Sequence, residues 1–113
     1  FKFFAKNEKI FIIRKNFMSK ISQQILEYLQ TIPKGKVSTY KNIAEKFGVH
    51  PRVVASAMRH NKHPDIYPCY KVVAHSRKIS GYTTPGGVPE KIQKLEADGI
   101  VIEDGKVGEE FII

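Results

Sequence analysis

The residue with the most chemistry to offer is Cys69, the one cysteine in a chain of 113 residues. It lies in the segment Ile66-Tyr67-Pro68-Cys69-Tyr70-Lys71-Val72-Val73. The preceding proline and the following β-favouring run, Tyr70–Ala74, predict a thiol held at a fixed, semi-exposed turn. Lys71, close by, would favour the thiolate, which is the reactive form of the side chain. Taken alone, however, a free cysteine is more often a small buried hydrophobe than a nucleophile. One cysteine excludes an internal disulfide and a multi-cysteine zinc site. The histidines His50, His60, His63 and His75 fall at no metal-ligand spacing and read as surface or capping residues, so neither metal nor cofactor is expected.

The elements that must position Cys69 come from one small domain, since domains commonly run from about 50 to 200 residues. With 42% hydrophobic and 27% charged residues the chain can pack an ordinary globular core. No stretch approaches the roughly 18 uninterrupted apolar residues of a membrane span. The apolar opening, Phe1 to Ile13, is broken by Lys2, Lys6, Asn7, Glu8 and Lys9 and lacks the order of a secretory signal. An intracellular protein of the cytoplasm or nucleoid or nucleus is expected, without membrane association. The formal net charge of +8 favours a polyanion as partner, of which nucleic acid is the commonest.

Phe3–Ile13, with Asn7-Glu8-Lys9 as a turn, reads as an N-terminal strand or hairpin. A first helix, capped by Ser19 or Ser22, carries Ile21, Ile25, Tyr28, Leu29 and Ile32 at spacings of three and four and stops at Pro33-Lys34-Gly35. A second begins at Ser38 or Thr39, buries Tyr40, Ile43, Ala44 and Phe47, and ends at Gly48. His50-Pro51 starts a third, with Val53, Val54, Ala57 and Met58 as its apolar stripe through Arg59. Two short helices joined by a tight glycine-containing turn form a helix-turn-helix pattern, one that also occurs in domains that never touch DNA. Asn61–Gly87 is rich in Pro, Gly and Ser, and a loop of such length is usually functional or disordered. A fourth helix runs from about Val88 or Pro89 to Ala97, and Asp104-Gly105 predicts a hairpin between Ile100–Glu103 and Lys106–Ile113. The fold class expected is mainly α with small β elements: a winged helix-turn-helix-like single domain over 19–113, preceded by a short strand or hairpin over 1–18.

Pro-Cys-Tyr-Lys-Val-Val resembles the Pro-Cys-His-Arg-Val-Val active-site motif of the O6-alkylguanine-DNA alkyltransferases, the methylated-DNA–protein-cysteine methyltransferases. The resemblance extends over about residues 19 to 107. Gly35-Lys36-Val37-Ser38-Thr39-Tyr40 is similar to the segment entering that family's helix-turn-helix. Arg52-Val53-Val54-Ala55-Ser56-Ala57-Met58-Arg59-His60-Asn61 is similar to its recognition helix and asparagine hinge. The spacings from Asn61 to Cys69 and from Cys69 to Gly81-Tyr82 match as well.

This resemblance implies direct repair of double-stranded DNA containing O6-alkylguanine, by a monomer without cofactor. The second helix of the helix-turn-helix would enter the minor groove and the damaged base would be flipped out. Tyr40 would help rotate the nucleotide, Arg52 would fill the vacated stack, and Ser38, Thr39, Arg59 and Lys71 would join the DNA contact. Asn61 would orient the Cys69 loop, while Val72, Gly81, Tyr82 and Thr83 would line the base pocket. Cys69 sulfur would then displace guanine from the alkyl carbon in line, leaving a stable thioether and no turnover.

Three features depart from the family pattern. Its histidine after the cysteine is here Tyr70, and a phenol with a pKa near 10 is a poor base at neutral pH. Its glutamate falls on Asp98 when counted from Lys91, or on Glu96 when counted from Tyr82; Asp98 keeps the acidic-Gly helix ending. Its N-terminal domain is reduced to a remnant before Ser19. Two other readings stand beside the enzyme: a non-catalytic alkyltransferase-like protein that flags alkylated guanine, a class that usually replaces the cysteine, and a winged-helix transcription regulator.

Overall fold

A computed structural model describes residues 20–79 and 86–113. The first helix, α1, occupies residues 20–29 and buries Ile25, Leu26 and Leu29 along one side. Helix α2 (Tyr40–Phe47) is capped by Thr39, whose Oγ1 accepts the Asn42 N–H at 3.0 Å. It ends at Gly48, which adopts the left-handed conformation at φ 66° and returns its N–H to the last carbonyls. Helix α3 (Pro51–Arg59) follows at once, with His50 as N-cap: its Nδ1 accepts the Arg52 N–H at 3.0 Å. His60 bonds Ser56 at the other end, so two of the four histidines do serve helix termini. The α1, α2 and α3 stripes close on one core cluster that includes Ile25, Leu29, Ile43, Val54, Ala57 and Met58.

A second cluster, Val37, Val73, Leu95, Ile100 and Val107, lies between the fourth helix, α4 (Gly87–Ala97), and the short strands. Strands β1 (Ser38–Thr39) and β2 (Val72–Val73) pair in parallel, Ser38 opposite Val72 and Thr39 opposite Val73. The predicted hairpin forms around Asp104-Gly105, both at positive φ, 52° and 72°, as a tight hairpin turn requires. Its strands are shorter than expected: β3 is Ile102–Glu103 and β4 is Lys106–Val107. Beyond Gly108 the chain turns into a 3₁₀ segment, Glu109–Phe111, and its backbone bonds to Val37 instead. The architecture is the one expected, mainly helical with small β elements. The expected N-terminal strand or hairpin lies outside the described residues. No helix among the described residues is long and apolar enough to cross a membrane.

Candidate active site

Cys69 opens a 3₁₀ turn, Cys69–Lys71, which leads directly into β2. The strand run expected over Tyr70–Ala74 is therefore confined to Val72–Val73. Pro68 shapes this turn, with the Lys71 N–H bonding to its carbonyl at 3.1 Å. The parallel pairing of β1 with β2 then fixes the turn beside the start of α2. The thiol is not semi-exposed: Cys69 is only 6% exposed and packs in the first core cluster with Val54, Ala57 and Met58. The hydrophobic residues on both sides of the motif pull it inward.

Asn61, just past α3, holds the approach to the turn. Its Nδ2 donates to the Tyr67 carbonyl at 2.9 Å, and its Oδ1 accepts the His63 N–H at 3.0 Å. The same Tyr67 carbonyl accepts the Cys69 N–H at 2.7 Å. One oxygen thus joins the asparagine to the cysteine backbone. Gln23 on α1 donates to the Tyr67 hydroxyl at 3.0 Å, tying the loop to the first helix.

The other side of the turn is held by α4. The Tyr70 hydroxyl donates to Asp98 Oδ2 at 2.7 Å, at the C-cap of the helix. Glu96, the alternative by direct counting, is exposed. Two turns earlier in the helix, Lys91 is completely buried and donates from Nζ to the Val72 carbonyl at 2.6 Å. Burial lowers its pKa from 10.5 to about 8, and the charge of Cys69 works in the opposite sense. Tyr40, partly buried at the start of α2, has its pKa raised by burial and further by Cys69. Cys69, Tyr40 and Lys91 therefore share one electrostatic neighbourhood drawn from three elements.

Several expected contacts are placed elsewhere. Lys71 is buried, and its ammonium donates to the Ile32 carbonyl at 2.8 Å beyond the end of α1. It is spent on the fold and is not offered to a phosphate. Ser38 and Thr39 are buried too: Ser38 Oγ donates to the Ile113 carbonyl, and Thr39 caps α2. The short β1 strand that pins the cysteine turn takes both inside. Val72 is buried and its carbonyl already receives Lys91. Gly81, Tyr82 and Thr83 lie outside the described residues.

Arg52 and Arg59 remain exposed at the two ends of α3. Seven positions apart, they stand on one face of the helix, with partly exposed Ala55 and Ser56 between them. Two cations flanking small residues make a face that can approach a phosphate-lined groove closely. Lys91 is the site residue that residue chemistry alone did not single out. Its signal was available, because Lys91 lies four residues before Leu95 on the buried side of α4. Among the described residues, no group of three or more His, Cys, Asp or Glu side chains is placed to hold a metal ion.

The model of the family described as "6-O-methylguanine DNA methyltransferase, DNA binding domain" matches residues 20–100. The chain belongs to this family. Among curated relatives, a bifunctional methyltransferase/endonuclease of Thermoplasma volcanium is 44% identical over 81 residues, 70% of this chain and 25% of that protein. A methylated-DNA–protein-cysteine methyltransferase of Pyrobaculum aerophilum is 40% identical over 87 residues, 77% of this chain and 57% of the relative. The chain thus spans between a quarter and somewhat over half the length of these relatives. Among solved structures, S. pombe Atl1 in complex with damaged DNA containing O6-carboxymethylguanine superposes with a TM-score of 0.73 at 26% identity, covering 84% of this chain and 95% of that one. The O6-methylguanine-DNA methyltransferase of Pyrococcus kodakaraensis gives a TM-score of 0.65 at 34% identity, over 71% of this chain and 46% of that one. The fold is that of the methyltransferase DNA-binding domain.

Proposed function

We propose that this chain removes the alkyl group from O6-alkylguanine in double-stranded DNA by transferring it, once and irreversibly, to Cys69. The observation that carries this reading is the setting of Cys69. The thiol sits on a turn clamped by Asn61 on one side and by Tyr70–Asp98 on the other, next to the helix-turn-helix of an alkylguanine-repair family. Rigid presentation of this buried free thiol suits an in-line displacement.

In the step itself a bond forms between Cys69 Sγ and the alkyl carbon while the bond from that carbon to guanine O6 breaks. The electron pair leaves with guanine, which takes a proton, and the thioether stays on the protein. Tyr40, at the head of α2 and beside Cys69, would turn the nucleotide out. Arg52, exposed at the head of α3, would occupy the space that the base leaves. Arg59 at the far end of the same face would meet the phosphate backbone. The base pocket would include Val72 and the segment Gly81-Tyr82-Thr83.

A second reading has one observation in its favour: the superposition on S. pombe Atl1 bound to damaged DNA. On that reading the chain binds the lesion without accepting the alkyl group. Intact-protein mass after incubation with a duplex carrying O6-methylguanine separates the two. The first expects one added methyl, mapped to the Cys69 peptide and absent in Cys69→Ser. Unmodified protein that still binds the lesion duplex in preference to its undamaged counterpart supports the second. Neither modification nor preference overturns both.

A further inference from the structure

We propose that Gln23, on α1, is a positioning residue for the transfer: through the Tyr67 side chain it holds the turn that aims the Cys69 thiol. The inference rests on the role proposed above for Cys69. The Cys69 N–H bonds to the Tyr67 carbonyl at 2.7 Å across a single residue, Pro68, at φ −74° and ψ 75°. Those angles describe an inverse γ-turn, a three-residue bend closed by one hydrogen bond. The direction in which Cys69 leaves the bend therefore follows the orientation of the Tyr67 carbonyl. Proline restrains the bend from its middle and restricts the preceding Tyr67 to extended backbone. Neither restraint says where Tyr67 itself sits, and its side chain settles that.

Tyr67 is anchored from two elements. Asn61 donates to its carbonyl from just past α3, and Gln23 Nε2 donates to its hydroxyl at 3.0 Å from α1. The ring between these bonds lies partly buried against the first core cluster. Seven positions along the same face of α1, Gln30 Nε2 donates to the Ile66 carbonyl at 3.2 Å. The two glutamines thus lay residues 66 and 67 along one helix face. Packing alone does not fix this segment: Ile66 is 51% exposed, and the loop borders an open cleft of about 590 Å³ lined in part by Gln30, Pro64, Ile66, Pro68 and Tyr70. Polar bonds on the α1 side and the Tyr70–Asp98 bond on the α4 side set the turn between them. The Gln23 bond lies in the open, so its loss should leave the fold intact while loosening the aim of the thiol.

Tyr67→Phe removes the hydroxyl and keeps the ring, and Gln23→Ala removes the donor from an exposed position. The two variants and their double are compared in single-turnover transfer from a duplex carrying O6-methylguanine. The NMR resonance and hydrogen exchange of the Cys69 amide are read in the same proteins without DNA. Each single variant should lower the limiting rate about threefold to tenfold and leave the half-saturating DNA concentration unchanged, and the double should be no slower than either single. Gln23→Glu, whose carboxylate accepts from the phenol, should keep the wild-type rate with Tyr67 in place and lose it with Tyr67→Phe. The Cys69 amide should shift and exchange faster in both single variants. Full limiting rates in the singles, effects that add in the double, or an unmoved amide each overturn the proposal. A wild type that transfers no methyl, while its Cys69 amide responds to the variants as expected, counts against the function and not against Gln23.

Discussion

The Tyr70 hydroxyl meets Asp98 Oδ2 at 2.7 Å, joining the active-site turn to the end of α4. Where the family pattern has a histidine after the cysteine, this chain uses a phenol as a donor to a carboxylate. A hydrogen bond to a charged acceptor contributes about 1.5–3 kcal/mol, somewhat less where water reaches it. Tyr70→Phe should therefore lower unfolding free energy by about 1–2 kcal/mol, with Asp98→Asn costing about as much and the double variant little more. Because the phenol is a poor base, Tyr70→Phe should leave the methyl-transfer rate within about threefold. Tyr70→His, which introduces a group able to move a proton near neutral pH, should raise it by about tenfold or more. Denaturant unfolding and single-turnover transfer check the two halves separately.

Asn61 acts on the cysteine through a single carbonyl. Asn61→Ala removes both of its loop bonds, at about 1–3 kcal/mol, and leaves the Tyr67 oxygen with the Cys69 N–H alone. Asn61→Asp keeps the acceptor for His63 and loses the donor to Tyr67, placing a carboxylate against a carbonyl. If the asparagine orients the turn, Asn61→Asp should slow transfer at least as much as Asn61→Ala while costing less stability. Equal transfer rates in wild type and Asn61→Asp would falsify the orienting role.

The two kinds of cation in this chain should separate cleanly. Lys71 is buried on the Ile32 carbonyl, whereas Arg52 and Arg59 stand exposed on α3. Lys71→Met should cost about 1–3 kcal/mol of stability by leaving that carbonyl unpaired, with the salt dependence of DNA binding unchanged. Arg59→Ala should leave the unfolding midpoint where it is and reduce the salt slope by about one. Arg52→Ala should be equally stable and lower transfer by about tenfold, as expected when a side chain supporting an extruded base is lost. Thermal unfolding with binding at several salt concentrations measures all three.

The contrast between those cations also marks what the sequence could reveal. Features decided by near neighbours were legible: the Gly48 stop, the His50-Pro51 start of α3, and the Asp104-Gly105 turn follow from backbone preferences within a few residues. What was hidden depends on contacts between distant segments. Lys71 finds its partner 39 positions away, and Ser38 and Thr39 are buried because β1 pairs with β2. The same pairing draws Cys69 inside. The choice between Asp98 and Glu96 could not be made by counting, since the count depended on the length of the Thr84-Pro85-Gly86-Gly87 segment. In space the choice rests on Asp98 closing α4 within reach of Tyr70, while Glu96 is exposed. Lys91 escaped attention because lysine in an apolar register usually snorkels outward, and here α4 packs too deeply for that.

That burial has a consequence for stability. The pKa of Lys91 is about 8 in the folded chain against 10.5 for an exposed lysine. Below pH 8 both states hold the proton, and the folded state carries the full cost of the buried charge. Between about 8 and 10.5 the unfolded chain keeps a proton that the folded chain has released, so stability rises with pH across this window. The gain from this one group should reach about 2–3 kcal/mol by pH 10. Tyr40 opposes it at the alkaline end, since its raised pKa favours the neutral phenol on folding and that contribution is lost as pH climbs beyond 10. Comparing wild type with Lys91→Met removes the Tyr40 effect, which both share. The stability of the wild type relative to the variant should climb from pH 8 to pH 10 in denaturant titrations. A flat difference over that range would mean that Lys91 keeps its ordinary proton affinity and is not buried as a charge.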